Sequence, residues 1–149
     1  MNQRGSCKNL KNLSTKLLRK IKNNFPGESF IIQPMQKIKT ELILGIKKDE
    51  TFGSIIVFGL GGIYTEVFKM VDFLVPPASL EEIKNKLSDS KIKFLFQETR
   101  GQKPYNIEEI AKILMGLSSL AQELSEIKEL DINPLLAYND GEGAIAVDV

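Results

Sequence analysis

Histidine is absent from the 149 residues, and cysteine occurs once, as Cys7. Together these absences remove a large part of enzyme chemistry. Without imidazole there is no Ser–His or Cys–His catalytic pair, and no His/Cys zinc cluster. A lone thiol excludes an internal disulfide and suits a reducing compartment. No apolar run approaches the roughly 20 residues that a membrane-spanning helix needs. The basic N-terminus is not followed by the apolar stretch of a secretory signal. Twenty Lys and Arg stand against nineteen Asp and Glu, a formal net charge of +1, so charge gives no case for nucleic acid. The expectation is a soluble, cytoplasmic domain with no nucleic-acid or membrane partner. Its chemistry must rest on carboxylates, amides, Lys, Arg and backbone N–H groups.

What is present suits one compact core. The chain is 42% hydrophobic and 26% charged, near the globular average, and it is too short for two ordinary domains. Residues 1–28 stand apart as a basic helix and lead-in, with no acid before Glu28. Leu13, Leu17, Leu18 and Ile21 fall at helical spacing, and Phe25-Pro26-Gly27 stops the helix near Asn24. Its basic residues read as a solvated face or as an anion or RNA contact. Residues 29–149 form the main α+β unit, expected to carry its strands in two antiparallel groups.

Within that unit, Phe30–Gln33, Glu41–Ile46 and Ser54–Phe58 are strand-like, the last two making a hairpin over Lys47-Lys48-Asp49-Glu50. Ile63–Phe73 is ambiguous. Ser79 and Glu82 form a capping box for a helix carrying Leu80, Ile83 and Leu87. Lys91–Phe96 reads as a short strand or a helical turn. Asn106 caps the longest helix, whose apolar stripe runs from Ile107 through Ile110, Leu114, Leu117 and Ala121 to Leu124. Gly116 inside it suggests close packing. Two closing strands, Ile127–Tyr138 and Gly143–Val149, flank an Asp140-Gly141 turn.

That last hairpin is the most informative segment. Centring its turn on Asp140-Gly141 places Tyr138 opposite Gly143 and Asn133 opposite Asp148. Directly opposed residues have Cβ atoms about 4.5–5.5 Å apart. An amide oxygen and a carboxylate so placed are magnesium-type ligands, completed by phosphate oxygens. Asp131 lies two residues before Asn133, on the same face. Alternation should turn Ala144, Ala146 and Asp148 one way, leaving open space around the carboxylate, and Ile145, Val147 and Val149 the other. Pro134 cannot donate to the ladder and is a candidate bulge. The bland alternative is a turn at Asn133-Pro134 and an exposed strand end at Asp148. Gly59-Leu60-Gly61-Gly62 is a phosphate-accepting turn or a plain tight turn or bulge, and it is not a Walker motif. Arg100, Glu41 and Glu66 read individually as surface charges or as site groups.

Four ordered segments then point to a family. They are Gln33-Pro34-Met35 leading to Glu41-Leu42-Ile43-Leu44-Gly45, Gly53–Val67, Thr99-Arg100-Gly101, and Glu129–Leu135 closing on Ala146-Val147-Asp148. Together they resemble the C-terminal part of the ATP-grasp domain of NDP-forming acyl-CoA synthetases. These include acetate–CoA ligases (ADP-forming) and the succinate–CoA ligase β subunit. The resemblance spans about Asn9 to Val149 and implies a C-terminal ATP-grasp subdomain, a mainly antiparallel sheet packed with helices.

It also implies roles. Asn133 and Asp148 match magnesium ligands, and Asp131 matches a carboxylate supporting a phosphohistidine. Gly61, Gly62 and Glu66 match the nucleotide-phosphate turn. Glu41 and Arg100 match further catalytic positions. The implied cofactors are ATP and Mg2+. The implied partners are a CoA-binding, α-type subunit or domain bearing the phosphorylated histidine, and the N-terminal ATP-grasp half expected to lie outside this sequence. Leu74 departs from the pattern, standing where the family has an arginine. The expected function is thus a component of an acid–thiol ligase, inactive without its missing parts. The alternative is a non-catalytic remnant or interaction module that keeps the fold.

Overall fold

The computed structural model describes residues 15–28, 33–36, 40–62, 70–98, 101, 103–139 and 143–149. The chain forms two compact units, Met1–Gln36 and Lys37–Val149. In the first, helix α1 spans residues 15–24. The Phe25 N–H still reaches the Ile21 carbonyl at 2.8 Å, and Gly27, with φ of 90°, turns the chain out of the helix. Lys16, Arg19, Lys20 and Lys22 are exposed, while Leu18 and Ile21 are half-buried; Leu17, expected in the same apolar stripe, is 59% exposed, and Leu13 lies outside the described residues. The strand expected at Phe30 lies largely outside the described residues.

The second unit is built on one five-stranded antiparallel sheet, in the order β3-β2-β1-β4-β5. Its strands are β1 (Thr40–Asp49), β2 (Gly53–Leu60), β3 (Val71–Leu74), β4 (Glu129–Ala137) and β5 (Ala144–Ala146). The expected two strand groups are therefore one sheet, because β1 pairs with β2 along one edge and with β4 along the other. The β1–β2 turn also falls later than the Lys47–Glu50 run. Asp49 Oδ1 accepts the N–H groups of Thr51 and Phe52 at 2.8 and 2.9 Å, which moves the reversal to the residues after it. Strand β2 runs on through Gly59, where a Cβ would strike the Met70 carbonyl.

Alternation along β1 decides which face is packed. Leu42, Leu44 and Ile46 are at most 1% exposed and join Ile56, Phe58, Ile132 and Leu135 in the apolar core. Helices α2 (Leu80–Asp89) and α3 (Ile107–Glu123) close that core with Ile83, Leu87, Ile110, Ala111, Leu114, Leu117 and Ala121. Each large side chain so buried contributes about 1.5–3 kcal/mol. The capping box of α2 forms as expected, with the Ser79 N–H donating to Glu82 Oε2 at 2.8 Å and the Glu82 N–H to Ser79 Oγ at 3.3 Å. Asn106 Oδ1 caps α3 by accepting from Glu108 and Glu109. A Lys84–Glu108 ion pair joins the two helices and lowers the Glu108 carboxyl from its ordinary value.

Two further expectations are resolved. Of the two readings of Lys91–Phe96 the helical turn holds, as a short 3-10 helix at Lys93–Phe96. Gly116 is exposed, and a Cβ there would meet nothing within 4 Å, so this glycine serves no close packing.

Candidate functional site

The face of the sheet opposite α2 and α3 carries the odd-numbered positions of β1: Glu41, Ile43, Gly45 and Lys47. At one end of it, β2 leads into the glycine turn. The Gly61 N–H donates to the Glu41 carbonyl at 2.8 Å, and a Cβ on Gly61 would lie 3.3 Å from the Glu41 backbone. Gly62 has φ of +62°, and a Cβ there would come within 2.9 Å of Glu41 Oε2. Absence of side chains at both positions thus lets the Glu41 carboxylate rest against the turn. These three candidate residues are brought together. Glu66 lies outside the described residues.

The closing hairpin has the register its turn signal predicts. Leu135 pairs with Ala146 and Ala137 with Ala144. Beyond them the Asn133 N–H donates to the Asp148 carbonyl at 3.1 Å, and the Val147 N–H to the Pro134 carbonyl at 3.1 Å. Asn133 and Asp148 are therefore opposed, and both are exposed. Pro134 does mark a bulge, but it falls in the other ladder. Leu42 pairs with Leu135 while Leu44 pairs with Ile132, so Ile43 faces both Asn133 and Pro134. The slip lets Ile132 and Leu135, three apart, both reach the core. The in-and-out alternation expected for β5 is not clean. Ala144 packs against the core, whereas Ile145 and Val149 are 40% and 78% exposed, because this three-residue edge strand is only partly covered.

Asp131 is exposed and pairs with Gly45 of β1. With a rise of about 3.3 Å per residue, Glu41 and the Asp131 row are about 13 Å apart along the sheet, with Asn133 between them. Arg100 lies outside the described residues. Sequence reasoning passes over two features of this region. One is Gly45, whose only signal is a glycine inside a strand pattern. The other is the Thr40 Oγ1–Tyr105 hydroxyl pair, 2.6 Å apart, which joins residues 65 positions apart and has no local signal.

The donor set suits magnesium. That ion takes one or two carboxylates and completes its shell with phosphate and water oxygens. Among the described residues no three His, Cys, Asp or Glu side chains form a cage. Among the same residues no helix is long and apolar enough to cross a membrane.

Comparison with known proteins decides the family. The profile of the ATP-grasp domain matches residues 6–149. The chain belongs to the ATP-grasp family. It is 44% identical over 118 residues to the β subunit of acetate–CoA ligase (ADP-forming) I of Pyrococcus furiosus, covering 79% of this chain and 50% of the relative. It is 40% identical over 119 residues to the 4-hydroxybutyrate–CoA ligase (ADP-forming) of Nitrosopumilus maritimus, covering 80% and 17%. Among solved structures it resembles acetyl-coenzyme A synthetase 1 of Candidatus Korarchaeum cryptofilum, in complex with coenzyme A and Mg-AMPPCP. There the TM-score is 0.70 at 35% identity, over 76% of this chain and 53% of that one. This ATP-grasp chain thus spans about half the length of the β subunit it matches.

Proposed function

We propose that this chain is the metal-binding half of the ATP-grasp domain of an ADP-forming acyl-CoA synthetase. The observation that carries the reading is the opposition of Asn133 and Asp148 at the end of the β4–β5 ladder, two residues from Asp131. The Asn133 amide oxygen and the Asp148 carboxylate would hold magnesium, which when bound supplies positive charge to the phosphate oxygens of ATP. Gly61 and Gly62 would let phosphates approach bare backbone N–H groups, with Glu41 setting the turn and Glu66 and Arg100 completing the contacts.

The chain has no histidine, so the phosphoryl acceptor would come from a CoA-binding, α-type subunit or domain. Asp131 would accept an N–H from that imidazole and hold the ring for in-line attack on the γ-phosphorus. A P–N bond forms as the bond from phosphorus to the ADP oxygen breaks. The phosphoryl group then passes from nitrogen to the carboxylate of the acid, and the thiol of CoA displaces phosphate to give the thioester. The other wall of the nucleotide site would be the N-terminal ATP-grasp half, whether joined to this chain or separate.

One observation favours a second reading, a non-catalytic module that keeps the fold. Leu74 pairs with Ile56 and packs against the apolar core, where the family pattern has an arginine. Titrating Mg-ATP into the chain while following its amide NMR signals separates the two. Binding predicts magnesium-dependent shifts in β4, β5 and the glycine turn, lost in an Asn133→Ala/Asp148→Ala variant. A folded chain with no shifts at millimolar Mg-ATP, or with shifts unchanged in the double variant, would overturn the first reading.

A further inference from the structure

Glycine in a strand interior has no side chain to pack and marks a place where another backbone approaches closely. Gly45 is such a residue, in the middle of the central strand, between the fully buried Leu44 and Ile46. A Cβ built on it would lie 2.5 Å from the Leu130 carbonyl oxygen, 3.6 Å from the Leu130 carbonyl carbon and 3.7 Å from the Asp131 Cα. Its ladder partner is Asp131. Immediately beyond, Ile43 meets the bulge at Asn133 and Pro134. Strand β4 is thus drawn in over Gly45 just before the segment that bears the candidate ligands.

We propose that Gly45 is a positioning residue for Asp131 and Asn133: its bare Cα sets how closely β4 approaches β1, and so where the carboxylate and the amide stand. The inference rests on the proposed Mg-ATP site. A side chain at this position would have to push the Leu130 carbonyl from 2.5 Å to at least the 3.4 Å of ordinary contact. The displaced atoms are backbone, so the shift cannot be absorbed by a rotamer change. It passes along the chain to Asp131, whose Cα lies 3.7 Å from the same built Cβ. Loss of the hydrogen-bonded partners that orient metal ligands typically costs about 10–100-fold in affinity, and a shift of the ligand-bearing backbone itself is expected to act on at least the lower end of that scale.

The test is Gly45→Ala in the full chain, in a Gly116→Ala background that strengthens α3 away from the site. Ile83→Val in the same background serves as a control, since it loosens the core from α2, on the face of the sheet opposite the Glu41 row, and leaves the backbone of β1 and β4 unchanged in sequence. Affinity for Mg-ATP is measured by NMR titration at a temperature where melting shows both variants folded. The expected result is an affinity about 10-fold or more weaker in Gly45→Ala and unchanged in Ile83→Val. Equal affinities would overturn the inference. So would failure of Gly45→Ala to fold, since the glycine would then serve the whole sheet rather than the ligands. Absence of magnesium-dependent binding by the parent chain would instead remove the nucleotide-site reading on which the inference stands.

Discussion

The N–H of Asn133 donates to the carbonyl of Asp148 at 3.1 Å, and this single bond joins two residues 15 positions apart at the open end of the closing hairpin. The bond is backbone to backbone, so it leaves the amide oxygen and the carboxylate free to act together on a ligand.

Gly62→Ala should impair both fold and site. The residue has φ of +62°, and its missing Cβ would come within 2.9 Å of Glu41 Oε2. Adopting the left-handed region costs a non-glycine residue about 1–2 kcal/mol, and the Glu41 carboxylate must also move. Urea melts should show that loss, and NMR should show shifted Glu41 and Gly61 amides.

Gly116→Ala should stabilise the protein. The position is in the interior of α3, exposed, with nothing within 4 Å of a built Cβ. Alanine is favoured over glycine in a helix by about 1 kcal/mol. The urea midpoint should rise with an unchanged m-value, and a fall in the midpoint would show an unseen partner at this site.

Acid should weaken the start of α2. Hydrogen bonds from the Ser79 N–H, then from its hydroxyl, lower the Glu82 carboxyl from its ordinary 4.5. The Phe52 and Thr51 N–H groups do the same for Asp49, ordinarily 3.8. A carboxyl lowered by folding adds stability that is complete above its ordinary value and is lost as pH falls through the lower folded value. Stability measured against pH should therefore decline in that acid range, and Glu82→Gln should flatten part of the decline by lowering stability at neutral pH while changing little at the acid end.

The Thr40–Tyr105 hydroxyl pair should show coupling. Tyr105 also donates its N–H to the Leu95 carbonyl at 2.9 Å and bridges to Asn139, so it ties the segment before α3 to β1 and to the end of β4. Thr40→Val and Tyr105→Phe should each cost about 0.5–1.5 kcal/mol. The double variant should cost less than their sum, and strict additivity would mean that the hydroxyl contact contributes nothing.

Local chemistry was legible in the residues themselves. The stop of α1, the capping box at Ser79 and Glu82, the Asn106 cap and the apolar stripe of α3 each depend on side chains within one or two turns of one another. The closing register was legible too, because a two-residue turn sets the pairing of its strands by counting. The candidate site was readable from the residues alone only where such counting reached, at Asn133 and Asp148, while the placement of Glu41 beside Gly61 and Gly62 came from the folded structure.

Pairing across long separations was decided by the tertiary structure. That β1 would take β4 on its second edge, merging two hairpins into one sheet, depends on burying both apolar faces under the same pair of helices, and no local pattern encodes it. The bulge at Asn133-Pro134 shows the same division. Proline announced an irregularity, but only the packing of both Ile132 and Leu135 into the core determined which ladder would slip. The closeness of Gly45 to Leu130 and of Gly62 to the Glu41 carboxylate likewise belongs to the folded chain, since a bare Cα gains its meaning from the backbone or carboxylate brought against it.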